Sequence, residues 1–109
     1  MIREELISYA LAFSSFLLQS NIAKKIDRII LFGSVSRGDF NKESDIDIFV
    51  DSSENIEKDA YKELYLFLKS EVQKRWELKG LKHEISLKIG KLDEWTPLKR
   101  SIVSNGIML

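Results

Sequence analysis

Residues 31 to 50 read Leu31-Phe32-Gly33-Ser34-Val35-Ser36-Arg37-Gly38-Asp39-Phe40-Asn41-Lys42-Glu43-Ser44-Asp45-Ile46-Asp47-Ile48-Phe49-Val50. The continuous apolar run at 29–32 predicts a central strand buried on both faces. That run ends directly on Gly33-Ser34, and a polar loop follows. Residues 45–50 predict a second strand, in which carboxylates alternate with Ile46, Ile48 and Val50.

Gly33 carries no side chain, so nearby backbone N–H groups can approach an anion closely. Ser34 adds a hydroxyl donor, and residues 34–38 suit the start of a short helix whose N-terminus attracts phosphate. Arg37 supplies a planar cationic fork that matches phosphate oxygens. The pair Gly33-Ser34 taken alone reads more simply as an ordinary turn. It is not a Walker A loop, because no Gly-Lys-Ser/Thr follows at the required spacing.

Asp45 and Asp47 lie two apart, so on a strand both side chains leave from one face, with Cα atoms roughly 6–7 Å apart. Carboxylates so placed can hold divalent ions for in-line phosphoryl transfer. Aspartate is disfavoured in strands, and two of them on a buried sheet repel unless a cation neutralises them. A solvated outer face would give the same pattern in isolation. A third carboxylate would complete such a site, and Glu84 is the first choice. It opens a later strand, on the polar face with Ser86 and Lys88. Asp93 and Glu94 are fallbacks better suited to a helix N-terminus.

Outward from this stretch, Ile2, Leu6, Ala10, Phe13 and Leu17 recur at helical spacing, and the helix ends near Ser20-Asn21. Ile7, Leu11, Leu18 and Phe16 lie beside or off that stripe, which leaves apolar surface for a dimer or partner. Residues 56–76 predict one long helix with Ala60, Leu64, Phe67, Leu68 and Val72 on its apolar side. Residues 83–89 alternate as a half-buried strand, ended by Gly90. Residues 93–104 predict a last helix with Pro97 in its first turn, and Ile107-Met108-Leu109 a short edge strand. The order α-β-β-α-β-α(-β) describes a single α/β (α+β) domain over residues 1–109, with a small mixed sheet flanked by helices. Lys24, Lys25, Arg28 and Lys42 could steer a nucleotide but read more simply as solvated surface. His83 points away from Glu84 by strand alternation and reads as a packed or capping residue. Trp76 and Trp95 read as core or interface residues rather than as platforms for a base.

Composition narrows the chemistry. The chain has 109 residues, 44% of them hydrophobic, with 17 basic against 17 acidic side chains. Zero formal net charge argues against holding a long nucleic acid by charge. There is no cysteine and a single histidine, which excludes disulfides, zinc–thiolate sites and thiol catalysis. Any metal must therefore sit on carboxylate oxygens, which selects magnesium or manganese. No signal peptide or membrane span is evident, and a cytoplasmic protein is expected.

Gly33-Ser34, Arg37-Gly38 and Ser44-Asp45-Ile46-Asp47 together resemble the signature of the DNA polymerase beta nucleotidyltransferase superfamily, and nearest its minimal nucleotidyltransferases. The resemblance implies a polymerase-beta-like fold in which Gly33 and Ser34 hold a triphosphate. It implies two magnesium ions on Asp45, Asp47 and a third acidic residue on a later strand, here Glu84. It further implies transfer of a nucleoside monophosphate, AMP from ATP, to a hydroxyl with release of pyrophosphate. Minimal members often accompany HEPN-domain proteins as toxin–antitoxin modules and modify a tyrosine of that partner, which here would act in trans. The alternative is a nucleotidyltransferase-fold binding module that neutralises a partner by complex formation. Homo-oligomerisation is compatible with either reading.

Overall fold

In the computed structural model, which describes residues 1–109, the apolar run becomes β1 (Arg28–Phe32), with its last four residues buried. It is preceded by α1 (Arg3–Leu18) and followed without a break by the short α2 (Gly33–Arg37). β2 (Ile46–Asp51), α3 (Glu57–Leu68), α4 (Glu71–Leu78), β3 (Ile85–Gly90), α5 (Thr96–Asn105) and β4 (Ile107–Met108) complete the order. The four strands form one mixed sheet in the order β3-β2-β1-β4. β2 and β4 run antiparallel to β1, while β3 runs parallel to β2. This is the polymerase-beta-like arrangement of a small mixed sheet with flanking helices.

Strand alternation divides the core. Ile46, Ile48, Val50, Ile29, Leu31 and Leu87 face one side, where Leu6, Ala10, Phe13 and Leu17 of α1 cover them with Ala60 and Phe67 of α3. Phe67 is the keystone of this layer, with the rings of Phe13 and Tyr9 centred 5.2 and 5.7 Å from its own. Ile30, Phe32 and Phe49 face the other side and pack with Leu92 and Ile102, joined by Trp95 and Leu98. On that second face Asp47 and Ser86 are only half-buried and Lys88 is exposed. The site lies there.

The expected long helix at 56–76 is broken into α3 and α4. Ser70 makes the break: its hydroxyl donates to the Phe67 carbonyl at 2.6 Å and accepts the Gln73 N–H at 3.3 Å, ending one helix and capping the next. The new direction leaves Leu68 and Val72 exposed rather than on the buried side. The last helix begins later than expected, at Thr96, because residues Leu92–Glu94 form a separate 3-10 turn. No helix is long and apolar enough to cross a membrane.

Candidate active site

The antiparallel register of β1 and β2 sets Phe32 opposite Asp47. The turn that leaves β1 therefore sits against the carboxylates that open β2. Gly33 has φ +76, in the left-handed region that favours glycine. A Cβ at this position would collide with the Asp47 carboxylate, so both the conformation and the space require glycine. The first turn of α2 leaves backbone N–H groups without intrahelical acceptors beside that carboxylate. Ser34 is half-buried at this point, and Arg37 ends the helix, exposed.

Contacts from elsewhere in the chain hold the turn in place. Arg3 reaches from α1 to the end of α2, where its Nε donates to the Val35 carbonyl at 3.0 Å and an Nη to the Ser36 carbonyl at 2.7 Å. The Ser36 hydroxyl donates to the Asn105 carbonyl at the end of α5. Gly38, at φ +87, closes the helix as its N–H donates to the Ser34 carbonyl at 2.9 Å. Sequence reasoning missed Arg3. The available signal was a cation in the first turn of a helix, where the dipole disfavours positive charge unless a partner compensates.

The loop into β2 is tied down as well. Ser44 and Asn41 bond within it, with the Asn41 N–H donating to Ser44 Oγ at 2.9 Å. His83 Nδ1 lies 2.7 Å from the Ser44 carbonyl, and its ring meets Phe40 edge-on. His83 is thus the packed, capping residue expected of it.

Asp45 is exposed just before β2, and Asp47 is half-buried on its second residue. Burial pushes the Asp47 carboxyl above its ordinary range, and the neighbouring Asp45 charge pushes the same way; Lys88, Arg37 and the Ser86 hydroxyl offset this in part. Asp51, four residues further along the same face, shows what a satisfied strand aspartate looks like. Its Oδ2 accepts Arg28 Nε and Nη2 at 2.9 and 2.6 Å, and its Oδ1 accepts the Leu92 N–H at 2.9 Å. Asp47 has no protein cation bonded to it in this way.

Glu84 stands beside Asp45 rather than beside Asp47. The parallel register sets Ser86, not Glu84, beside Asp47, and the Ile46 N–H bonds the Glu84 carbonyl at 2.8 Å, so Glu84 stands level with Asp45 before β3 begins. No three acidic or histidine side chains lie close enough to hold one ion between them. The fallback Asp93 is engaged by Lys99 at 2.6 Å, which draws its carboxyl below its ordinary range. Among the basic residues, Arg28 is committed to Asp51. Lys24 and Lys25 precede the start of β1, at the end of that strand away from Gly33.

Asp45 and Asp47 fit one divalent ion, because magnesium characteristically takes one or two carboxylates and completes its shell with water and substrate phosphates. The Gly33 turn lies directly against the Asp47 carboxylate, whose charge burial and Asp45 disfavour and no ion pair within the protein satisfies. A glycine turn set against two carboxylates at the start of β2, in a small mixed sheet with flanking helices, is the arrangement of a polymerase-beta-like nucleotidyltransferase domain.

Comparison with known proteins agrees. The profile of the nucleotidyltransferase domain family matches residues 15–109, and the chain belongs to that family. Two Methanocaldococcus jannaschii proteins, both named as putative protein adenylyltransferases, are similar over short stretches. MJ0141 is 58% identical over 26 residues, covering 24% of this chain and 26% of the relative. MJ0604 is 54% identical over 33 residues, covering 30% and 33% respectively. The matched stretches thus span between a quarter and a third of each relative's length.

Proposed function

We propose that this protein is a magnesium-dependent nucleotidyltransferase that moves AMP from ATP to a hydroxyl of another protein. The observation that carries the reading is the Gly33 turn pressed against Asp47, a half-buried carboxylate that forms no ion pair and whose burial and Asp45 neighbour outweigh the nearby Lys88 and Arg37. In this reading the backbone of the Gly33-Ser34 turn and the Ser34 hydroxyl grip the triphosphate. Arg37, at the end of α2, adds charge on the phosphate side. Asp45 and Asp47 hold magnesium, which supplies positive charge to the phosphate oxygens when bound. The acceptor hydroxyl gives up its proton to solvent as its oxygen attacks the α-phosphorus, a new P–O bond forms, and the bond to the β-phosphate oxygen breaks to release pyrophosphate. Arg3 and Ser36 act at one remove, keeping the turn where the triphosphate must lie.

A protein acceptor is supported by the names of both M. jannaschii relatives. A tyrosine of a HEPN-domain partner acting in trans is the specific acceptor the superfamily resemblance favours. The test is incubation with α-labelled ATP, magnesium and a candidate HEPN-domain protein. Label on the partner, lost with Asp47→Asn, is the expected result. An unlabelled partner, or labelling that survives Asp47→Asn, would refute it.

The second reading, neutralisation of a partner by complex formation, draws support from α1, where Leu11 and Leu18 are 46% and 50% exposed. It predicts a stable complex unaffected by loss of either aspartate.

A further inference from the structure

A two-ion phosphoryl-transfer site needs donors for both ions, and this sheet offers them for one. Asp45 and Asp47 together supply two negative charges, which one divalent ion balances. The place beside Asp47 on the neighbouring strand, where a further carboxylate would bridge to a second ion, is occupied by Ser86. Its hydroxyl is neutral and a weak ligand for magnesium compared with a carboxylate. Two residues on, and on the same face by strand alternation, stands Lys88, exposed and opposite Phe49 in the register. An ammonium there repels a second cation instead of binding it. Glu84 stands level with Asp45, before β3 begins, and is exposed to solvent. No three-carboxylate group exists elsewhere in the protein to act in its stead.

We infer that this chain holds its nucleotide with a single divalent ion on Asp45 and Asp47, and that Ser86 and Lys88 occupy the ground of the second. The inference rests on the nucleotidyltransferase reading and sharpens it. In two-ion sites one ion activates the attacking oxygen and the other steadies the leaving group. A one-ion site keeps the grip on the triphosphate and loses ion activation of the acceptor, so nucleotide binding outlasts rapid transfer. Lys88 leaves a fixed positive charge on that side of the site.

The test counts ions. Manganese is titrated into the protein saturated with α,β-methylene ATP, which resists transfer, and bound ions per chain are read by electron paramagnetic resonance. The expected count is one for the wild type and two for Ser86→Asp, with Glu84→Gln unchanged from the wild type. With ATP itself, Ser86→Asp should transfer or hydrolyse at least about tenfold faster, since one ion's activation of the nucleophile is restored. Without nucleotide, Lys88→Met should bind manganese several-fold more tightly; unchanged affinity would remove Lys88 from the account. Two ions in the wild type would overturn the inference and leave the nucleotidyltransferase reading intact, and dependence of the second on Glu84 would identify its ligand. A wild type that binds neither manganese nor nucleotide would overturn both. The wild-type count decides the matter even if Ser86→Asp does not fold.

Discussion

Replacing Gly33 by alanine separates two demands that the structure makes at one residue. At φ +76 an alanine sits in the left-handed region, at roughly 1–2 kcal/mol. Its Cβ also meets the Asp47 carboxylate, which must swing off its preferred rotamer for about another 0.5–1.5 kcal/mol. Gly38→Ala is the control, because it shares the left-handed backbone at φ +87 but its Cβ would lie 3.8 Å from the nearest Arg3 atoms. Thermal unfolding should therefore show both variants destabilised, Gly33→Ala by about 2–3 kcal/mol and Gly38→Ala by about 1–2 kcal/mol. For a domain of this size that corresponds to roughly 4–8 °C per kcal/mol. The informative difference is functional. Titration of manganese and ATP should find binding abolished in Gly33→Ala and retained in Gly38→Ala. A folded Gly33→Ala protein that binds manganese and ATP like the wild type would refute the close approach of turn and carboxylate as the basis of the site.

Other parts of the structure yield further expectations. Arg28→Ala strands the nearly buried Asp51 carboxylate and should cost about 2–3 kcal/mol in urea denaturation, below the fully buried range because Arg28 is itself half-exposed; a loss under 0.5 kcal/mol would contradict it. Ser70→Ala removes the cap of α4 and should cost about 1 kcal/mol by the same measurement. Tyr9 donates to the Gln73 side chain in the core, and burial pushes its hydroxyl up to about 12. Its folded-state pKa is raised above the unfolded value of about 10. Its contribution is therefore complete below pH 10 and lost as pH rises toward 12. A Tyr9→Phe variant should show a shallower alkaline decline in melting temperature, and an identical decline would refute the assignment. Without divalent ions, Asp47→Asn should melt at or above the wild-type temperature, because it removes a carboxylate that burial and Asp45 both disfavour as an anion.

How far the sequence led depended on what kind of signal each feature carried. The central strand at 29–32, the short helix after Gly33 and the terminal edge strand were legible because period and glycine placement act locally. The break between α3 and α4 was hidden by apolar residues that continue across it, although Ser70-x-x-Gln73 carries the spacing of a capping box. The exact level of Glu84 was hidden for a different reason. Alternation tells which face a strand residue takes, but not the register between strands, and a shift of two residues separates a position beside Asp47 from one beside Asp45. Arg28 lay near the Gly33 turn in sequence, yet the extended strand between them carries it about 16 Å away. Arg3 and Ser36 were invisible as site supports, because their partners lie more than 30 residues distant.

The central claim is that Asp45 and Asp47 hold a triphosphate through a divalent ion against the Gly33 turn. Calorimetric titration of ATP into the protein, with magnesium and then with EDTA, tests it most directly. The account predicts saturable binding with magnesium that vanishes in EDTA and in both Asp45→Asn and Asp47→Asn, while the variants remain folded. ATP binding of equal strength without magnesium, or undiminished in the variants, would contradict it.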